Sequence, residues 1–401
     1  MAQRPSSQKA TTAVTAEQVR SMTVELLSRE LPLGWAGYQY TDADVYNVLT
    51  LAAAEQRSID SVCQQLIAAP SANLVRQILA ARLWSRHDLE VLEARCNALL
   101  VAYLPAEVQR RPQRLAIDLT LLPYYGAPAA EPEELRRGPA QAGTTHFHCY
   151  ATAAVLRAGR RVTVAVSFVY AAEDLLDVLT DLLQRVHRLG IRIKRLFLDR
   201  QFATVAILRW LQPQPFTAIV ALPKRGARLQ ALLTGRQSSC TTYTMRSAAA
   251  GAVTFPLWVA CRYAAGRRGK QGIEYLPFAV LGRTPGTLSV LRVADEYRQR
   301  FGIESGYRQM DQVRPRTTAR APGLRLLLVS IALLLPNLWV WLKAQVVAHT
   351  PRRARAAVRR WLDATFRLDR VRDLLIEAIT SRYHRYAALV TPVPLTTPLK
   401  L

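Results

Sequence analysis

Three carboxylates stand out by their setting rather than their number. Asp118 lies inside an apolar run, "LAIDLTLL", where a lone buried charge is costly unless something compensates it. Asp199 ends another apolar run, "RLFLDRQF", at a strand-to-helix hand-over, and ligands gather at strand ends in open α/β sheets. Glu304 sits among arginines and tyrosines in "EYRQRFGIESGYRQMDQ", residues 296–312. Brought together, the three would form an oxygen-only cage of the kind hard cations such as Mg²⁺ prefer. Two ions clamped by shared carboxylates activate a water or a 3′ hydroxyl and stabilise the leaving oxygen, which is the chemistry of phosphodiester cleavage and strand transfer. Each residue alone has a plainer reading. Asp118 could be a hydrogen-bonded strand residue, Asp199 a cap for a helix near Phe202, and Glu304 a partner of Arg308 in an i,i+4 ladder.

The flanking elements can bring the aspartates together. "RLAIDLT", "THFHCYATAAVLR" and "RRVTVAVSFVYA" read as strands rich in β-branched and aromatic residues. An amphipathic helix ended by Gly190 follows, then the strand "IKRLFLD", a helix stopped by Pro213 and the strand "FTAIVALP". This order predicts an α/β fold with a mixed sheet, in which the first and fourth strands can lie side by side. Residues 296–312 read as one helix with Tyr297, Arg300, Glu304, Arg308 and Asp311 on one face. On that face Glu304 would bind metal, while Arg300 and Tyr297 would hold a phosphate.

Charge points to the same substrate. The chain of 401 residues carries 54 Lys and Arg against 29 Asp and Glu, a formal charge of +25, and such a surface is a polyanion receptor with nucleic acid the first candidate, an acidic membrane surface or ribosomal RNA staying open on charge alone. From Arg200 to Gly272 there are eleven Lys or Arg and no acid, in a stretch whose later part breaks into short strands. A segment without internal counter-charges is expected to rest on phosphates. The five cysteines form no C-x-x-C pair, which favours neither a zinc site nor a disulfide framework. Residues 16–105 read as helices, with Thr41, Asp42 and Ser71 as capping candidates, in a spacing that suits either a helix-turn-helix DNA reader or a plain bundle. The apolar segment 324–347 approaches the length of a membrane span, but Pro336 and Asn337 are expected to interrupt it, which favours a buried core helix.

On "IDLT" around Asp118, "LDRQF" around Asp199 and the signature Y-x2-R-x3-E at Tyr297, Arg300 and Glu304, the chain resembles the DDE-type transposases of bacterial and archaeal insertion sequences. The similarity is to the branch of the ribonuclease-H-like superfamily with a β-rich insertion between the second Asp and the Glu, and it covers roughly residues 110–345. It implies an α/β fold: a ribonuclease-H-like mixed sheet with a β-rich insertion, plus an all-helical N-terminal domain and a helical C-terminal region. The corresponding boundaries are a disordered lead-in over 1–15, a helical domain over 16–108, a catalytic domain over 109–223 and 288–348, a basic insertion over 224–287 and a basic helical region over 349–401.

The resemblance further implies a cut-and-paste transposase that binds the terminal inverted repeats of its element, cleaves the ends and joins the 3′ ends to target DNA. Asp118, Asp199 and Glu304 would be the catalytic residues and the ligands of two Mg²⁺ ions, with Mn²⁺ as a substitute. DNA contacts would come from Tyr297, Arg300, Arg308, Arg200, Lys224, Arg225, Arg267, Arg268 and Lys270. Double-stranded DNA would be the partner, bound by a homodimer in a synaptic complex, in a prokaryotic cytoplasm and away from membranes. One departure is Asp311, where the family usually has a lysine; a basic contact would move to Arg308 or Arg314. Two other readings stay open: a catalytically silent DNA-binding derivative, and a membrane protein through 324–347.

Overall fold

The β-branched and aromatic runs after residue 112 all enter one nine-stranded sheet. The computed structural model describes residues 14–35, 37–83, 87–127, 133–157, 160–263, 272–283 and 288–386. Most of the expected lead-in lies outside them, and so do Arg267, Arg268 and Lys270. Helices α1 (Ala16–Glu30), α2 (Asp42–Glu55), α3 (Ile59–Cys63), α4 (Ala72–Leu83), α5 (His87–Val101) and α6 (Glu107–Arg110) come first. Strands β1 (Gln113–Pro123), β2 (Arg136–Gln141), β3 (Thr144–Arg157) and β4 (Arg160–Val169) follow. Then come α7 (Leu175–Arg188), β5 (Ile193–Leu198), α8 (Val205–Leu211), β6 (Thr217–Ala221), α9 (Ala227–Ala231), β7 (Ser239–Ser247), β8 (Gly251–Tyr263) and β9 (Ile273–Gly282). The chain ends with α10 (Val290–Arg298), α11 (Phe301–Asp311), α12 (Pro322–Ala348), α13 (Arg355–Thr365) and α14 (Leu368–Tyr383).

The sheet order is β2-β3-β1-β5-β6-β9-β8-β7, with β4 also on β3. Strands β1, β5 and β6 are mutually parallel, and the rest join antiparallel. β1 and β5, the expected first and fourth strands, are neighbours, with Ile117 opposite Leu198. Strands buried on both faces read as unbroken apolar runs, as "TAIVA" does, and all five residues of β6 are buried. The short strands expected in the basic stretch form as β7, β8 and β9, and β9 pairs along β6 from Thr217–Gly282 to Ala221–Phe278, so they extend the main sheet. β2, "RRGPAQ", was not foreseen. It is a polar, mostly exposed edge strand whose turn uses Ala142 and Gly143 at positive φ and lacks the usual Asn-Gly signal.

The exposed edge of β4 is covered by side chains rather than by another strand. Asn97 bonds both the N–H and the carbonyl of Val166 at 2.8 Å, Glu93 accepts from Phe168 N–H at 2.6 Å, and Asn337 does the same service for Thr163 at 3.0 and 2.7 Å. An open edge invites pairing with another chain, and here polar residues on α5 and α12 occupy its hydrogen-bonding groups and dock the helices. Asn337 therefore does not interrupt α12. The helix continues through Pro336, because burial between α5, β4 and α2 outweighs the one backbone bond that proline removes. By length and composition α12 could span a membrane, but 83% of its most apolar window is buried within the fold, the setting of a core helix. Its core is shared: α1, α2, α5, α12 and α14 contribute to one apolar cluster. Tyr383 on α14 ties in α2 through Asn47 and Asp44.

Under this layer His148 of β3 is fully buried, and neither ring nitrogen has a hydrogen-bond partner among the described residues. It sits 5.2 Å from the Tyr124 ring and 5.9 Å from Phe168. Burial, helped by the Arg325 charge, pushes its pKa down to about 3. The unfolded chain takes up this proton near pH 6.5, so stability is full above that pH and is lost as pH falls toward 3. In melting experiments from pH 7 to 4, His148→Phe is expected to flatten the acid limb by up to about 1.4 kcal/mol per pH unit. An unchanged slope would mean that His148 does not stay neutral in the fold.

Candidate active site

Asp118 is at the middle of β1, where alternation turns it toward the helical layer, beside Thr152 of β3 in register. Asp199 follows the last residue of β5, at the carboxyl end of a parallel strand, and begins a short 3-10 turn over Arg200–Phe202. Its side chain does not cap that turn, and Thr204 caps α8 instead, so the capping role expected as the plain reading of Asp199 is taken by another residue. Glu304 is in the first turn of α11.

One guanidinium joins the three. Arg300 places Nη1 2.9 Å from Asp118 Oδ2, and Nη2 2.9 Å from Glu304 Oε1 and 3.5 Å from Asp199 Oδ1. The arginine side chain is 7% exposed and Asp118 9%, while Asp199 and Glu304 reach solvent at 26% and 39%. The cluster therefore has a buried end and an open end. Burial raises the Asp118 pKa to about 6, with Asp199 and Glu304 adding to the rise, while Arg300 and the Leu119 N–H oppose it. For Arg300, burial works against the charge, but Tyr297 and the three carboxylates outweigh it and raise its pKa. Among the described residues no three Asp, Glu, His or Cys side chains converge closely enough to hold a metal ion. The guanidinium stands between the carboxylates.

The single helix expected over 296–312 is two helices. α10 ends at Arg298 and α11 starts at Phe301. Between them the backbone tightens into i→i+3 bonds, Arg300 N to Tyr297 O at 2.8 Å and Ile303 N to Arg300 O at 2.7 Å. Glu296 holds the α10 side of the break through a buried ion pair with Arg195 of β5, and Tyr307 holds the α11 side. The Tyr307 hydroxyl donates to the Asp118 carbonyl at 2.9 Å and lies 2.7 Å from Thr152 Oγ1. Tyr297 is buried and donates its hydroxyl to the Leu198 carbonyl at 3.1 Å. The Tyr297 hydroxyl thus meets a strand-end carbonyl, and the Arg300 Nη atoms meet carboxylates.

A cleft of about 440 Å³ opens over the cluster, lined by Asp199, Arg200, Leu276, Tyr297, Arg300 and Glu304 among others. No family model matches the chain, and no curated protein matches it. A solved structure does match, titled as the cryo-EM structure of a piggyBac transposase synaptic complex with hairpin DNA. The TM-score is 0.50 at 11% sequence identity, over 96% of this chain and 85% of that one. The chain has a transposase-like fold.

Within that fold Arg200, Lys224 and Arg225 are exposed at the carboxyl ends of β5 and β6, the end of the sheet that carries Asp199. Arg308 is exposed on α11, and Asp311 pairs with Arg314 at 3.3 Å. Three participants escaped sequence reasoning. Glu296 looked like one more helical acid, Tyr307 like a second aromatic, and Glu274 gave no periodic signal. Yet Glu274, the lone acid between Asp199 and Asp295, lines the same cleft. Its isolation within a basic stretch is the one cue that could have marked it.

Proposed function

We propose that the protein is a DDE-type DNA transposase with a ribonuclease-H-like catalytic core, which cleaves the ends of its own element and joins the freed 3′ ends to target DNA. The observation that carries this reading is that Asp118, Asp199 and Glu304, from a central strand, a strand end and a later helix, all reach the Arg300 guanidinium beside an open cleft. The run β4-β3-β1-β5-β6, with β3 antiparallel to its neighbours, supports the ribonuclease-H-like assignment, and the transposase-like fold supports the reaction class. Double-stranded DNA is the proposed substrate, held by a homodimer.

Asp118, Asp199 and Glu304 are the residues that would hold Mg²⁺ or Mn²⁺. Their donors are all carboxylate oxygens, and three of them face one guanidinium, so negative charge is left for a further cation to neutralise. When bound, such ions supply an activated water or 3′ hydroxyl and stabilisation of the leaving oxygen. The chain's own groups do the rest. Tyr307 and Thr152 fix the backbone of Asp118, Glu296 and Arg195 fix α10, and Arg200 lies at the cleft where a phosphate would approach.

The test is incubation of purified protein with a plasmid bearing the DNA that flanks its own coding sequence, with Mg²⁺ or EDTA, mapping nicks and joined products. Nicks without joining would reduce the reading to an endonuclease, and neither would end it. DNA affinity is expected to fall steeply with salt. Replacing Lys224 and Arg225 together by alanine is expected to lessen the slope of log K against log salt by about 1.8, since each phosphate contact contributes about 0.9. Fluorescence anisotropy across a KCl series measures this, and an unchanged slope removes both residues from the DNA interface.

A further inference from the structure

Among the described residues the three carboxylates share one cation, the Arg300 guanidinium, which belongs to the helix break itself. We propose that Arg300 is a positioning residue that competes with divalent metal for Asp118, Asp199 and Glu304, so that metal enters the site by exchange with the guanidinium. The inference rests on the metal-dependent reading above and goes beyond it, because it assigns Arg300 to the carboxylates rather than to DNA.

The geometry carries it. Both Nη atoms are used on carboxylates, Nη1 at 2.9 Å on Asp118 and Nη2 at 2.9 Å on Glu304 and 3.5 Å on Asp199. A planar fork of this kind orients carboxylate groups as well as neutralising them. Arg300 therefore keeps three like charges from pushing one another apart. Arg300 sits at the tightened turn between α10 and α11, and from there its side chain reaches Asp118 of β1, Asp199 after β5 and Glu304 of α11.

The order of exchange follows from exposure. Asp199 and Glu304 are partly open to the cleft, while Asp118 and the guanidinium are almost fully buried. Asp199 and Glu304 are therefore the carboxylates that would first be offered to a cation from solvent, and the Nη2 contacts, of which the 3.5 Å contact to Asp199 is already long, would be the first to give way. The Nη1 contact to Asp118 breaks last. A buried charge that loses its partners is strongly disfavoured, so the two cations exclude each other and do not add.

Competition predicts the sign of a binding change that other roles do not. Mn²⁺ is titrated calorimetrically into the full-length protein and into Arg300→Gln and Arg300→Lys, with melting temperatures recorded with and without Mn²⁺. Arg300→Gln is expected to bind Mn²⁺ about tenfold more tightly than the wild type, within the usual range for coupled sites. It is also expected to melt lower without Mn²⁺ and to regain the loss when Mn²⁺ is added. Arg300→Lys, which keeps a charge, is expected to fall between the two. A structural arginine would lower Mn²⁺ affinity when removed, and a purely DNA-binding arginine would leave it unchanged; either result in both variants overturns the inference. If the wild type binds Mn²⁺ and neither variant binds more tightly, only this inference fails. If no form binds Mn²⁺, the metal-dependent reading fails and takes this inference with it.

Discussion

Asp118→Asn is expected to lower DNA cleavage by about 10³-fold or more, the scale on which a lost charge stabiliser acts in a polar transition state. DNA binding is expected to stay within about twofold, because the exposed arginines and lysines proposed to meet phosphates are untouched. Asparagine nearly matches the shape of aspartate and can still accept the Leu119 N–H bond that Asp118 Oδ1 accepts at 3.0 Å. What it loses is the charge facing Arg300 and the carboxylate end most buried in the cluster. Parallel gel-shift and cleavage assays on one preparation measure both quantities. Cleavage at wild-type rate would remove Asp118 from the chemistry. Joint loss of binding and cleavage would mean that the substitution had disturbed the fold, which a melting curve on the same sample would reveal.

The second large effect is on stability. Glu296 is 5% exposed and Arg195 4%, and they form an ion pair beneath α10. Arg195 also bonds Thr217 Oγ1 at 3.2 Å, while Arg114 and Arg292 approach Glu296 at 3.6 and 3.4 Å. Glu296→Gln leaves a buried guanidinium without its main counter-charge, a change that costs roughly 3–5 kcal/mol. A melting temperature lower by roughly 5 °C is expected for a chain of this length. Because α10 leads directly into Arg300, the site should loosen with it. The double variant Arg195→Met/Glu296→Leu is the control, since removing both charges together is often far milder than removing one. A single variant as stable as the wild type would show that Arg114 and Arg292 do not depend on Glu296, and that the pair is not the anchor of α10.

How much of this was legible along the chain depends on the range of the interactions. The strands from "RLAIDLT" to "IEYLPFAVLG" could be read directly, because alternation, β-branching and bounding Gly and Pro are local properties that burial reinforces. The adjacency of Asp118 and Asp199 was also within reach, since few strand orders suit that succession of elements. The apolar character of α12 was legible, but its passage through Pro336 was not. That depends on Asn337 finding Thr163 and Leu100, residues 174 and 237 positions away. The helix break at Gln299–Arg300 was hidden for the same reason. The i,i+4 spacing of Arg300 and Glu304 fits an unbroken helix, and only the pull of Glu296 toward Arg195 and of Tyr307 toward Asp118 bends the chain there. Composition marked Arg300 as a cation near an acid. Glu304 lies one turn away, but Asp118 and Asp199 reach Arg300 from distant strands, because charge pairing in a buried place is decided by proximity in space as well as by spacing in sequence.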